Sequence, residues 1–357
     1  MAYTWCDDSD AIWEWAGGLT PGAPLYLDTE FMRERTYFPR LALVQVHDGE
    51  AIRLIDTTRV EAPALLAALS ERPLVMHACS EDLEALAAFT DRYPERVEDT
   101  QVAAALVGQD MQVGYQRLVE HLAGVTLPKG ATRTDWLKRP LTREQLDYAE
   151  DDVKYLPEVT EKLRSELQQL GRLDWWHEEC ARLCEDARRR AETTGAWRNV
   201  KGVGYLQGQE LAVLIQLAEW RERTARDRDM PKTFLIRDAA LLDLSREAPR
   251  SAAGLHKLGL HPRVIRQDAD GILACIGEGL DGPPPLPLPT ALDPEQRKQV
   301  KVLREQVADI ALSLNLKPDV LMRRRWLESL VRDPGHLPEP LTGWRRELVA
   351  EPLLARV

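Results

Sequence analysis

Long apolar runs are missing from this 357-residue chain. No stretch approaches the ~20 residues that a bilayer-spanning helix requires, so a helical membrane protein is excluded and no membrane partner is expected. Cysteine is scarce: Cys6, Cys79, Cys180, Cys184 and Cys275 are an odd set without a C-x-x-C pair. That excludes a disulfide framework and predicts reduced, buried thiols. Cys180 and Cys184 share one helix face, but no histidine stands at a ligand spacing, and the seven histidines are scattered, so a zinc site is excluded too. Basic residues are absent from Met1 to Glu14, which carries four acids. A secretory signal or transit peptide needs positive charge there, so a cytoplasmic protein is expected. What remains, 44% hydrophobic and 29% charged residues, is globular composition long enough for two or three domains.

Charge is unevenly placed. The net charge is −11, yet residues 1–170 hold 17 basic against 30 acidic side chains, residues 171–281 hold 18 of each, and residues 282–357 hold 12 against 10. An acidic first domain is suited to holding cations; a surplus of surface carboxylates that keeps the protein soluble reads the same way.

The first part has an α/β pattern. Leu25-Tyr-Leu-Asp, Leu41-Ala-Leu-Val-Gln-Val-His and Ala51-Ile-Arg-Leu-Ile-Asp are short apolar runs, the last two joined by the turn signal His47-Asp-Gly-Glu. They predict an antiparallel meander. Pro73-Leu-Val-Met-His-Ala predicts a fourth strand, and Ser80 an N-cap for a helix through Phe89. Helical spacing dominates from Val102 to Leu170. This order resembles a ribonuclease-H-like layout, a mixed sheet with flanking helices. Beyond Asp174 no strand is predicted. Residues 174–194 read as a charged helix, Thr194-Gly-Ala-Trp to Gly204 as a loop, and Leu211, Leu214, Leu217 and Ala218 resume helical spacing. Gly282-Pro-Pro-Pro-Leu-Pro-Leu-Pro289 is a semi-rigid spacer before a last helical stretch.

Three places carry candidate chemistry. Asp28 and Glu30 are two apart on the first run, so both project from one face of a strand. Paired acids at a buried strand end repel and desolvate at a cost that a cation would remove; a strand ending at Leu27 would instead leave both in solvent. Asp82 opens a predicted helix, where the helix dipole alone also favours an acid. Tyr148 and Asp152 are four apart and meet on one helix face, which is also what a solvated amphipathic helix would show. Together, four carboxylates from a strand, a strand–helix junction and a late helix can converge on one sheet end. Carboxylates suit Mg²⁺ or Mn²⁺. Two such ions ~4 Å apart support in-line phosphoryl displacement, with Tyr148 placed to orient the attacking water.

Asp28-Thr-Glu30, His77-x4-Asp82 and Tyr148-x3-Asp152 resemble the three exonuclease motifs of the DEDD superfamily, tyrosine-bearing branch. Leu27-Asp-Thr-Glu-Phe-Met-Arg, His77-Ala-Cys-Ser-Glu-Asp-Leu, Asp99-Thr-Gln, Arg133-Thr-Asp-Trp-Leu and Leu146-Asp-Tyr-Ala-Glu-Asp-Asp-Val-Lys-Tyr-Leu narrow the resemblance to the ribonuclease D family. It spans nearly the whole chain. It implies an α/β ribonuclease-H-like exonuclease domain over 1–170, a helical linker and loop over 171–207, a first HRDC domain over 208–281, a proline-rich linker over 282–290, and a second, divergent HRDC-like helical domain over 291–357. It further implies that Asp28, Glu30, Asp82 and Asp152 hold two divalent metal ions, Mg²⁺ or Mn²⁺, and that Tyr148 orients water. Glu81, Glu150 and Asp151 do not match.

The implied activity is metal-dependent removal of nucleotides from the 3′ end of RNA, releasing nucleoside 5′-monophosphates, with tRNA precursors and other small structured RNAs as targets. A monomer is expected. Phe31, Met32 and Arg33, with Arg35, are placed to meet the terminal nucleotide; packing for the apolar pair and solvation for the arginines are the plain alternatives. Lys129 and Arg133, with Lys138, Arg139 and Arg143, form a basic stretch suited to backbone phosphates. Arg221, Arg223, Arg226, Arg228, Lys232 and Arg237 read equally as a phosphate-binding or a salt-bridged helix face. A DNA-directed exonuclease of the same chemistry and a non-catalytic nucleic-acid-binding module are the rival readings. Filled motif positions oppose the second; no residue discriminates against the first.

Overall fold

The computed structural model describes residues 3–128, 130, 134–289 and 291–356. Packing divides the chain into two compact units, Met1–Met32 with Arg40–Ala187 and Leu292–Val357, and Arg33–Pro39 with Arg188–Ala291.

The first unit is built on a six-stranded mixed sheet. Its strands are β1 (Tyr3–Cys6), β2 (Leu25–Met32), β3 (Arg40–His47), β4 (Ile52–Ile55), β5 (Leu74–Met76) and β6 (Val97–Asp99), in the spatial order β1-β4-β3-β2-β5-β6. The antiparallel meander β2-β3-β4 is the one the apolar runs predict. Asp48 closes its second turn by accepting the N–H groups of Glu50 and Ala51 at 3.0 and 2.8 Å. Parallel pairing adds β1 beside β4, β5 beside β2 and β6 beside β5. β1 and β6 are not predicted from the sequence; β6, Val97-Glu-Asp, holds one apolar residue in three and so forms no apolar run.

The helices of this part are α1 (Ser9–Gly18), α2 (Ala62–Leu69), α3 (Asp82–Thr90), α4 (Thr100–Leu106), α5 (Tyr115–Ala123), α6 (Arg143–Lys154), α7 (Leu156–Gln169) and α8 (Leu173–Arg190). Ser80 does not cap α3 as expected. The cap position is Glu81, with no side-chain cap bond. The turn before α3 is held instead from β6: the Asp99 carboxylate accepts the N–H of Ala78 at 3.1 Å and of Cys79 at 3.0 Å, with Ala78 in the left-handed region. The same carboxylate caps α4 through Gln101 at 2.7 Å.

In the second unit, α9 (Gly208–Asp227), α10 (Lys232–Leu235), α11 (Asp238–Glu247), α12 (Ala252–Lys257) and α13 (Pro262–Asp281) enclose a core of Leu211, Leu214, Leu217, Leu241, Leu255 and Ile272. α9 and α13 approach so closely that a Cβ at Gly279 would lie 2.5 Å from Val213 Cα. The segment Arg33–Pro39 belongs here. Tyr37 donates its hydroxyl to Glu222 at 2.6 Å, and the N–H groups of Tyr37 and Phe38 both donate to Asp229 Oδ1 at 3.0 Å.

Beyond the proline-rich stretch come α14 (Pro294–Ser313), α15 (Pro318–Leu321), α16 (Arg324–Arg332) and α17 (Glu351–Leu354). The segment is helical, as expected, but it packs within the first unit rather than apart. Leu303, Val307, Leu321, Leu327, Leu330 and Leu353 share one core with Ala103, Leu106, Val159, Leu163, Leu167 and Trp176. Trp344 stacks on Trp175 with centroids 4.3 Å apart, and the Arg345 guanidinium pairs with Glu179. Spacing within one helix cannot reveal which neighbour an apolar face meets.

Candidate active site

β2 supplies two acids at its carboxyl end. Asp28 and Glu30 sit opposite Gln45 and Leu43 of β3, and the register slips between Glu30 and Phe31. A bulge at this place bends the strand just past the acids, as is common beside functional sites. α6 brings the third acid. Thr142 and Gln145 close a capping box that fixes the start of the helix, and two turns later Tyr148 and Asp152 fall on one face. Asp28, Glu30 and Asp152 each present a ligand atom within 4.8 Å of the others.

Asp82 is buried at the start of α3 and accepts the Thr29 hydroxyl at 2.5 Å. Its oxygens are outside that close triad, but its charge is felt by all three members. His77, at the end of β5, is structural here: its ring nitrogens meet the Thr100 hydroxyl and the Val113 carbonyl, each at 2.9 Å. Those bonds, with the Asp99 turn, set where α3 begins.

The electrostatics fit a cation site. Burial, then the charges of Asp152 and Asp82, push Glu30 up to about 9. Burial pushes Asp152 up to about 7, partly offset by the Tyr148 hydroxyl, and Asp82 up to about 6, partly offset by Thr29. Asp28 is raised well above the carboxylate range by burial and by Asp152, Asp82 and Glu30. Asp152 Oδ2 is buried without a hydrogen-bond partner. Crowded, desolvated carboxylates with an orphaned oxygen are what a divalent ion satisfies. Among the described residues, no other group of three or more His, Cys, Asp or Glu is arranged this way.

Tyr148 packs on Trp136 with centroids 6.1 Å apart. Burial, then the Asp152 charge, raises its pKa, so it stays a neutral hydroxyl. Two neighbours lacked any sequence signal. A Cβ at Gly130 would lie 1.7 Å from Tyr148 Cδ2, so only glycine fits there. Tyr115, on α5, has its ionisation opposed by burial and then by the Asp152 charge, which places it beside the cluster.

The substrate residues read from sequence are dispersed. Phe31 is half-buried against the sheet core, and Met32 is half-buried at the strand end. Arg33 opens the segment of the second unit and donates to the Tyr37 carbonyl at 3.0 Å. Lys129 and Arg133 lie outside the described residues. Arg139, grouped with them as a phosphate ligand, is committed elsewhere: it donates to Asp56 at 2.7 and 2.5 Å and to the Ala42 carbonyl at 2.7 Å. Arg143 pairs with Asp147. Of the six cations in the arginine-rich stretch of the second unit, Arg221, Arg228 and Lys232 are salt-bridged, to Asp238, Asp268 and Glu222.

Residues 3–168 match the family described as 3′-5′ exonuclease, and residues 210–276 match the HRDC domain. Ribonuclease D of Pseudomonas paraeruginosa is 40% identical over 342 residues, covering 92% of this chain and 91% of that protein. Ribonuclease D of Escherichia coli K12 is 35% identical, covering 99% and 98%. The crystal structure of Escherichia coli RNase D superposes with a TM-score of 0.91 at 34% identity, over 100% of this chain and 99% of that one. With the exonuclease sheet, the HRDC domain and the helix-rich C-terminal region all in place, the chain belongs to the ribonuclease D family and is a 3′–5′ exoribonuclease.

Proposed function

We propose that the chain trims the 3′ ends of tRNA precursors and other small structured RNAs, one nucleotide at a time, releasing nucleoside 5′-monophosphates. The observation that carries this reading is the convergence of Asp28, Glu30 and Asp152 within 4.8 Å beside Tyr148. The Escherichia coli relative, described as an exoribonuclease involved in structured RNA processing, supports the substrate class.

Asp28, Glu30, Asp82 and Asp152 would hold two divalent ions, Mg²⁺ or Mn²⁺. Bound there, the ions would lower the pKa of water and offset charge on the scissile phosphate. The chain's own residues do the rest. Asp82, fixed by Thr29, and Asp152, fixed on the capped helix α6, hold their carboxylates without reorganisation. Tyr148, kept neutral by burial, offers a hydroxyl to the attacking water and orients it rather than taking its proton. Trp136 and Gly130 keep the ring in place. The protein acts as a monomer.

The test is incubation of a 3′-tailed tRNA precursor with Mg²⁺ or Mn²⁺, with products resolved by length and by chromatography of the mononucleotides. Stepwise shortening to nucleoside 5′-monophosphates, lost on chelation and in Asp28→Ala, is expected. Internal fragments, or full activity in chelator, contradict it.

A further inference from the structure

The apolar run of β3 is broken by one amide. Gln45 is completely buried, and neither its Oε1 nor its Nε2 meets a hydrogen-bond partner. Among the described residues it is the one side chain with two such orphaned atoms. Leu41-Ala-Leu-Val before it and Val46 after it are all apolar. Burying an amide without partners opposes folding, so packing alone favours an apolar residue at this position.

The sheet register sets this amide beside the acids. The partner of Gln45 on β2 is Asp28, and its partner on β4 is Leu54. Residues directly opposite in an antiparallel ladder share a face, with Cβ atoms about 4.5–5.5 Å apart. The next pair along the same face, Tyr26 and His47, does meet, with ring centroids 6.2 Å apart. Leu54 lies in an apolar cluster with Leu43, Ala149 and Val153 and offers nothing polar. Asp28 is therefore the cross-strand neighbour whose side chain can accept from the amide.

We propose that Gln45 is a positioning residue of this site, whose amide N–H donates to Asp28 and holds that carboxylate for the metal ion. An ion held by one Asp28 oxygen leaves the other in need of a donor, and ligating carboxylates are oriented by such outer hydrogen bonds. An amide suits the task because it donates without a charge and adds nothing to the crowding of the acids. The same role accounts for a residue that weakens the fold at the centre of the sheet. It lies outside the acidic motifs, and it rests on Asp28 being a metal ligand.

The test titrates the full chain with Mn²⁺, reading the free ion by electron paramagnetic resonance, in the wild type and in Gln45→Met, Gln45→Leu, Thr57→Val and Asp28→Ala. Gln45→Met keeps the length of the side chain and removes its polar atoms. Mn²⁺ affinity should fall about tenfold or more in both Gln45 variants. Their Tm in chelator should stay at or above the wild-type value, because an unmet buried amide is gone. Half-saturating Mg²⁺ for single-turnover shortening of RNA should rise in the same proportion. Thr57→Val removes another buried, unpartnered polar atom of the first unit and should bind Mn²⁺ as wild type. Affinity within twofold of wild type in Gln45→Met overturns the proposal. So does a loss of affinity accompanied, in both Gln45 variants, by a Tm in chelator more than about 5 °C below wild type, which marks mere packing. Asp28→Ala separates the two readings. Wild-type binding that is lost in Asp28→Ala but kept in Gln45→Met removes Gln45 and leaves the metal site; a wild type that binds no Mn²⁺ removes the metal site and the role of Gln45 with it.

Discussion

Asp152→Asn should raise the stability of the metal-free protein while abolishing its activity. Asp152 is buried, and its carboxyl is pushed from 3.8 up to about 7, first by desolvation and then, net of Tyr148, by neighbouring acids. A rise of about three units corresponds to roughly 4 kcal/mol of disfavoured ionisation above pH 7. Asparagine keeps the shape and removes the charge but gives up part of the Tyr148 hydrogen bond, so a net gain of about 2–3 kcal/mol is expected. At roughly 2 °C per kcal/mol for a chain of this size, that is a Tm increase of about 5 °C in chelator at pH 8. The sign with pH follows from a raised folded pKa. The folded state binds the extra proton, so wild-type stability is fully present below about pH 4 and is lost as pH rises through 7 for Asp152 and 9 for Glu30. The variant should therefore match the wild type at pH 4.5 and exceed it at pH 8. Mg²⁺ should raise the wild-type Tm by mass action and the variant's much less. Scanning fluorimetry across pH, with and without Mg²⁺, reads all of this. A variant whose Tm in chelator at pH 8 equals or falls below wild type refutes the crowded-carboxylate reasoning, as does an equal Mg²⁺ response in both proteins.

Tyr148→Phe should slow single-turnover cleavage of a short RNA about a hundredfold with RNA affinity in Ca²⁺ unchanged; a rate within threefold would return Tyr148 to mere packing. Gly130→Ala must move the Tyr148 ring, which its Cβ would meet at 1.7 Å, and should lower kcat tenfold or more while Tm shifts by under about 2 °C; a wild-type kcat would show that the approach is not needed in turnover. Glu179→Gln leaves the buried Arg345 without its charge partner and should cost roughly 3 kcal/mol in denaturant unfolding. Deletion of 292–357 strips one side from the core around Trp176 and Leu163, so insoluble or molten protein is expected; a soluble, cooperatively folding truncation would show that the first unit does not need this segment.

Most of the acidic site was legible because its chemistry is written locally. The i, i+2 acids on β2 and the i, i+4 pair on α6 are face relationships that spacing alone encodes. The meander was legible for the same reason. Asp99 and His77, which fix the start of α3, were visible as words but not as struts, since their partners lie 20 to 36 residues away. Arg139 shows the opposite failure. A cation in a basic stretch looks free in sequence, and only the fold reveals Asp56, 83 residues away, as its partner. Gly130 and the packing of 292–357 into the first unit depend on distant surfaces meeting, which no periodicity records.

The most direct test of the central claim follows the RNA itself. A single RNA with an unpaired 3′ tail, labelled at its 5′ end, is incubated with the full chain in Mg²⁺, in chelator, and with the Asp28→Ala and Asp152→Ala variants, beside a DNA of the same sequence. A ladder that shortens by one nucleotide at a time from the 3′ end of the RNA is expected, lost in chelator and reduced several hundredfold in each variant, with the DNA degraded far more slowly. An Asp28→Ala or Asp152→Ala protein that produces the ladder at near wild-type rate would contradict it.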